Sequence, residues 1–140
     1  EDYISIETID HNEEKVISRT YDKYKIITLK NKTTKNIVYT YKVYNSCRSL
    51  EKFVKIDNEI WWFGAHIYTL RLFVNMNTGK CIEPYGNDIQ NSSFNFIWLD
   101  ITNRIDNIFI IYGCIWASPY ERIIIDIKEL LYENFVKEII

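Results

Sequence analysis

Two side chains, Cys114 and His66, are of the types that nucleophilic catalysis requires. An imidazole beside a thiol lowers the thiol pKa and supplies the thiolate, which is the reactive form. Each residue lies just beyond a glycine, Gly113 or Gly64, so a repeated fold would place both at the same end of neighbouring units. Glu121 can orient the imidazole. These residues predict a small cysteine-dependent hydrolase or transferase as one alternative. The opposing interpretation is that Cys114 only packs in the core, as free cysteines usually do.

The aromatic residues predict a binding surface instead. Trp61 and Trp62 are adjacent in a predicted strand, so they face opposite sides and at most one can lie fully in a single core. The other needs a further layer or an interface, where tryptophan is enriched. Trp116 precedes Ser-Pro-Tyr and either closes a pocket or, as is more frequent, plugs the core. The candidate interface residues are Trp61, Trp62, His66, Tyr68, Trp116, Tyr120 and Glu121.

Metal and nucleic-acid sites have weaker support. The two histidines, His11 and His66, are far apart in sequence and no Cys/His spacing fits zinc, so we predict no metal and no cofactor. Residues 23–42 contain six lysines interleaved with Tyr24, Tyr39 and Tyr41. Nucleic-acid binding through this hairpin is the second alternative, but a solvated hairpin face explains the lysines equally well.

Composition favours one cytoplasmic domain spanning residues 1–140. The net charge of −2 gives no overall field that would attract nucleic acid or an anionic membrane. Three cysteines without a CxxC spacing indicate a reducing compartment. No stretch approaches the ~20 apolar residues of a membrane span, and the first residues do not resemble a signal peptide. The frequent Ile, Asn, Lys and Tyr are typical of an AT-rich genome.

An internal repeat predicts the architecture. Ile56-Asp57-Asn58 recurs as Ile105-Asp106-Asn107, 49 residues later, and Gly64 recurs as Gly113 at the same spacing. Repeats of this length indicate a supersecondary unit copied along the chain. We therefore expect equivalent positions to occupy equivalent places in space.

The repeat extends beyond the glycines and, more weakly, upstream. Arg71–Asn75 matches Arg122–Asp126 at a spacing of 51, which predicts two inserted residues in the later loop. Ile9-Asp10-His11 matches the first turn motif at a spacing of 47. A charged residue that recurs at equivalent sites, Arg71 and Arg122, with Glu121 beside the latter, predicts a brace between units.

The resulting fold class is all-β, with about three four-stranded antiparallel repeats near 3–44, 50–84 and 94–140. From Ile127 onward, apolar residues at spacings of three and four predict a C-terminal helix that Asp126 caps. The alternative is that Asn134–Ile140 forms a fourth strand. The predicted strands are Lys15–Thr20, Tyr24–Lys30, Asn36–Tyr44, Lys52–Ile56, Glu59–Gly64, Thr69–Asn75, Lys80–Glu83, Phe94–Ile101, Ile108–Cys114 and Arg122–Ile127.

A four-stranded unit of this length resembles a blade of the WD-type β-propellers, without their Gly-His and Trp-Asp dipeptides. The loop Gly113–Glu121 resembles a Gly-Cys-x-Trp-Ala-x-Pro-Tyr-Glu signature of small uncharacterised proteins from low-GC bacteria and large DNA viruses. The resemblance covers Glu51 to Ile127 and implies no activity, although it is compatible with a viral protein. Three blades are fewer than the four to eight of ordinary propellers. We expect the units to close into a compact sandwich or barrel within one chain, with the C-terminal helix covering an edge. The alternatives are that two chains complete a ring or that the chain belongs to something longer.

These features favour a non-enzymatic protein-binding or assembly module. It would contact a protein partner or a second copy, as in a homodimer, through the loop end carrying Gly64–Tyr68 and Gly113–Glu121. A membrane partner is not expected, and nucleic acid is not favoured.

Overall fold

The computed structural model describes residues 3–11, 14–21, 24–31, 34–44, 49–65, 70–83, 95–115 and 118–133. These residues form antiparallel strands and one short π-helical turn. The strands match the predicted positions to within a few residues, apart from the first, which was not identified, and β9, which runs further. The elements are β1 Tyr3–His11, β2 Glu14–Tyr21, β3 Tyr24–Asn31, β4 Ile37–Tyr44, β5 Lys52–Ile56, β6 Glu59–Ala65, β7 Arg71–Asn75, β8 Cys81–Ile82, β9 Phe96–Ile105, β10 Ile108–Ile115, β11 Glu121–Asp126 and the turn Glu129–Glu133.

The strands form three separate sheets in chain order. The first sheet is β1-β2-β3-β4, the middle sheet is β5-β6-β7-β8 and the third sheet is β11-β10-β9. Each is a meander in which sequential strands pair. The all-β prediction is thus confirmed. Because the end strands of each sheet pair with no other sheet in the described ranges, the predicted closure into a barrel within one chain is not found.

The middle sheet lies between the other two. One of its faces packs on β3 and β4 of the first sheet, through Trp62, Leu72 and Val74. The other packs on the third sheet, through Trp61, Phe63 and Phe73. Strand β7 is therefore buried at every position. This explains why its apolar residues, Leu72 to Val74, are consecutive and do not alternate with polar ones.

The larger core lies between the middle and third sheets, and aromatic rings dominate it. Phe63 packs edge-to-face on Phe73 and on Trp98, with centroids 4.9 and 5.7 Å apart. Rings prefer this geometry because the positive edge of one meets the negative face of the other. This core contains two of the four tryptophans and four of the seven phenylalanines, but few of the eleven tyrosines: its buried aromatic residues are Trp61, Phe63, Phe73, Phe96, Trp98 and Phe109.

The first hairpins of the middle and third sheets have turns of the same kind. Asp57 and Asp106 occupy the same turn position and both adopt positive φ, 56° and 52°. Aspartate tolerates this left-handed region better than most residues, which suits a chain with only four glycines.

The predicted two-residue insertion is wrong. Gly64 pairs with Leu72, and Gly113 pairs with Glu121, so the spacing of 49 continues through the second hairpin. Arg71 pairs with Ala65, whereas Arg122 pairs with Tyr112, so the two arginines are not equivalent. A slip of two residues keeps every side chain on its own face, so the apolar pattern cannot reveal it.

The upstream copy is also misaligned. Asp10 and His11 do not form a turn: they lie in β1, paired with Lys15 and Glu14. The strand pairing of the first hairpin therefore continues through the residues that the repeat assigned to its turn. The four-stranded form of the first unit is nevertheless present.

The segment after β11 covers one end of the larger core. Asp126 Oδ1 accepts hydrogen bonds from the backbone N–H groups of Lys128 and Glu129, at 3.1 and 3.2 Å, as predicted for a cap. Leu130 and Leu131 join the core, and Tyr132 packs edge-to-face on Trp61. Residues 134–140, on which the choice between a helix and a fourth strand depends, lie outside the described residues.

Candidate binding surface

The side of the third sheet that points away from the middle sheet carries exposed isoleucines among polar residues, and we call it the outer face. Residues directly opposite each other in neighbouring strands share a face. Three rows across β9, β10 and β11 define the outer face: Asp100, Tyr112 and Arg122; Asn103, Ile110 and Ile124; Ile105, Ile108 and Asp126.

Large apolar side chains of the outer face are accessible. Ile124 is 75% exposed and Ile105 is 67% exposed, while Ile108 is also exposed and Ile110 is half-buried. Scattered exposed apolar residues are ordinary, but a contiguous group marks an interaction site more often. Neighbouring rows of one sheet bring these isoleucines together.

A stack of three side chains borders this patch. The Tyr112 ring lies 5.7 Å from the Tyr120 ring, centroid to centroid, and the Arg122 guanidinium carbon lies 5.4 Å from the Tyr112 centroid. Tyr120 is 62% exposed. Tyrosine and arginine are the residue types that most often anchor protein interfaces. Tyr120 therefore remains a candidate anchor.

The equivalent face of the middle sheet is covered. At the spacing of 49, Phe63 and Phe73 correspond to Tyr112 and Arg122, and both phenylalanines are buried against the third sheet. Asn75, the equivalent of Ile124, is 3% exposed. The outer face of the third sheet is thus equivalent to the face through which the middle sheet packs on the next sheet.

Trp61 and Trp62 lie at opposite faces of the middle sheet, as predicted, but each is only 2% exposed. Both are core residues, because two layers rather than one cover the sheet. Trp62 Nε1 donates a hydrogen bond to Tyr41 Oη at 2.8 Å, and Phe53 packs edge-to-face on its ring. Neither tryptophan offers area to a partner. The predicted anchors His66, Tyr68 and Trp116 lie outside the described residues.

The Cys114 side chain is 7% exposed, at the end of β10 beside Ile97. Glu121 is exposed and pairs through its backbone with Gly113. Because His66 lies outside the described residues, the predicted catalytic pair stays a prediction. A thiol this enclosed fits the packing role better than the nucleophilic one.

Arg71 acts as the brace that the sequence predicted. Its side chain is 1% exposed; Nη1 donates to Ser49 Oγ at 2.5 Å and Nη2 to the Leu50 carbonyl. The guanidinium carbon lies 5.3 Å from the Trp98 ring centroid, so Arg71 ties the middle sheet to the third. Burial lowers the pKa of Arg71 to about 9, while the nearby Tyr41 and Glu51 favour its charged form.

Arg122 does not repeat this brace. It is exposed and stacks within its own sheet, because its position corresponds to Phe73 rather than to Arg71. An architectural role therefore holds for Arg71 alone of the two.

Two tyrosines of the lysine-rich hairpin, Tyr39 and Tyr41, are not presented with its lysines. Tyr41 is buried against the middle sheet, whereas Lys42 beside it is exposed. The Tyr39 hydroxyl donates to Glu83 Oε1, and burial followed by this hydrogen bond raises the Tyr39 pKa. A stacking platform needs accessible rings among the basic groups, and these two rings do not supply one.

Within the described ranges no three His, Cys, Asp or Glu side chains gather as metal ligands would. None of the helices in that part of the chain has the length and apolarity of a membrane span. The chain matches no protein-family model, no curated protein and no solved structure.

Proposed function

We propose that this protein is a non-enzymatic assembly module, and that the outer face of the third sheet is its binding surface. The observation that carries the proposal is the contrast between equivalent faces: Phe63 and Phe73 of the middle sheet are buried against the third sheet, whereas the outer face has Ile124 75% exposed. A stack of repeats needs a polar face on its terminal unit to stay soluble alone. The outer face has polar residues too, but Ile105, Ile108 and Ile124 are exposed among them.

The three sheets are blade-like repeats in this proposal. Each is an antiparallel meander, and the middle and third sheets turn equivalent faces toward the sheet before them. Trp62 and Val74 of the middle sheet face the first sheet, and their equivalents Ile111 and Ile123 of the third sheet face the middle one. Such a series has two unlike ends, and the outer face is one of them.

Light scattering after size-exclusion chromatography tests the binding surface. Ile124→Asp places a charge on a side chain that is already exposed, so the fold should persist while association weakens. Lys55→Asp is the matched control, because Lys55 is exposed on the middle sheet, away from the outer face. Near-identical circular dichroism and melting curves establish that both variants are folded.

We expect wild type and Lys55→Asp to show a mass above 16.9 kDa that rises with concentration, and Ile124→Asp to stay at 16.9 kDa. A wild-type mass that Ile124→Asp leaves unchanged overturns the outer face as the assembly surface.

A further inference from the structure

Strands β3 and β4 of the first sheet also present a face on the side opposite the one that packs on the middle sheet. The buried residues of β3 and β4 are Ile27, Leu29, Tyr41 and Val43. The intervening residues form rows on the other side: Ile26 with Lys42, Thr28 with Thr40, and Lys30 with Ile37. We call this the leading face.

The leading face is more polar than the outer face and carries the opposite charge. Lys42 is exposed and Lys30 is half-buried. The outer face has two carboxylates, Asp100 and Asp126, against the single guanidinium of Arg122, which stacks on Tyr112. Opposite charges on two surfaces guide the correct pairing and disfavour like-with-like pairing.

The leading face also has an apolar contact to offer. Ile37 is 63% exposed beside Lys30. The outer face has the more exposed Ile124 in its central row. Each open end of the stack therefore combines exposed isoleucine with a net charge, negative on the outer face and positive on the leading face.

Resting on the assembly function proposed above, we propose that the partner of the outer face is the leading face of a second copy of this chain. Two copies would join head to tail at two identical interfaces, each pairing one outer face with one leading face. Head-to-tail contacts form closed rings when the rotation between units allows. A ring of two copies contains six sheets, within the four to eight of closed propellers.

The test uses two charge-reversed variants of the full chain. The outer-face variant is Asp100→Lys, and the leading-face variant combines Lys30→Glu with Lys42→Glu. Asp126 is left intact because its carboxylate caps the turn after β11. Lys55→Glu on the middle sheet is the control for a reversed charge away from both faces.

Each variant alone places like charges at both interfaces of the ring, so we expect self-association at least about tenfold weaker than wild type. In the mixed dimer, the altered outer face meets the altered leading face and the two unaltered faces meet each other. Mixing the variants in equal amounts should therefore restore a dimer of twice 16.9 kDa by light scattering. Lys55→Glu should associate as wild type does.

The outcomes separate the pairing from the surface. If the leading-face variant dimerises like wild type while Ile124→Asp does not, the outer face assembles but not onto the leading face, and the head-to-tail pairing is overturned. The same holds if the variants fail to rescue each other on mixing. A wild-type protein that remains at 16.9 kDa at every concentration overturns the second copy as the partner.

Discussion

Replacement of Gly113 by alanine should be among the most destabilising single-methyl changes in the third sheet. A Cβ at this position would lie 1.8 Å from the Ile97 carbonyl oxygen and 2.9 Å from the Phe96 ring. Gly113 sits at an irregular point of the β9–β10 ladder, where it pairs with Trp98. Since the closest atom belongs to the backbone of the neighbouring strand, rotation of a side chain cannot relieve the contact.

The magnitude follows from what must move. Overpacking of a core costs about 1–3 kcal/mol, and separation of the strands would weaken neighbouring ladder hydrogen bonds worth about 1 kcal/mol each. The lower backbone entropy of alanine in the unfolded chain returns about 0.5–1 kcal/mol. We therefore expect Gly113→Ala to lower the free energy of unfolding by about 3 kcal/mol.

Urea denaturation followed by tryptophan fluorescence measures this loss. With an m-value of about 1–3 kcal/mol per molar urea, the midpoint should fall by at least about 1 M. Gly79→Ala is the control, because nothing lies within 4 Å of the added Cβ and only the positive φ of 78° is strained. That strain costs about 1–2 kcal/mol. If Gly113→Ala costs no more than Gly79→Ala, the close approach of β9 and β10 is refuted.

Three further predictions follow from the buried side chains and from one ion pair. Tyr41→Phe leaves the Trp62 indole N–H without its acceptor, so the free energy of unfolding, measured by thermal unfolding, should fall by about 1–3 kcal/mol. Burial raises the Tyr41 pKa above its usual 10, so the contribution of Tyr41 to stability is complete below pH 10 and is lost as the pH rises above 10. Above pH 10 the free energy of unfolding of wild type should therefore fall more steeply than that of Tyr41→Phe, by about 1.4 kcal/mol per pH unit. An unchanged alkaline slope would mean that Tyr41 is not buried as described. Cys114 should react with iodoacetamide more slowly than free cysteine at pH 7, and faster labelling, mapped by mass spectrometry, would revive the cysteine-dependent enzyme. Lys128→Ala removes an exposed 3.0 Å ion pair with Asp57, so its cost in urea titration should stay below about 1 kcal/mol, and a larger one would contradict the solvent exposure of the pair.

Most of the strand positions could be predicted because local patterns specify them. Alternation in β4, the Asp-Asn turns and the glycine at position 79 each act within a few residues. The cap at Asp126 is equally local and was also predictable. The first strand was not predicted because its alternation, Ile4 and Ile6 against Ser5 and Glu7, is short and Ile9 breaks it.

The register of the repeat and the fate of the tryptophans depend on distant residues. The sequence shows that Trp61 and Trp62 face opposite sides, but only the stacking of three sheets buries both. Arg71 and Arg122 were matched because both are arginines. In the strands they occupy different positions, since Arg71 pairs with Ala65 and Arg122 with Tyr112, a residue that corresponds to Phe63. The outer face was not predicted, because the rows of β9, β10 and β11 exist only once their register is known.

Maleimide labelling of an Ile124→Cys variant, followed by peptide mapping, tests the central claim that the outer face is open in the single chain and covered in the assembly. At low protein concentration the introduced thiol should label rapidly, since position 124 is 75% exposed. At high concentration its labelling should slow, while a Lys55→Cys control labels at one rate throughout. A thiol at position 124 that labels at the same rate at every concentration would contradict the account.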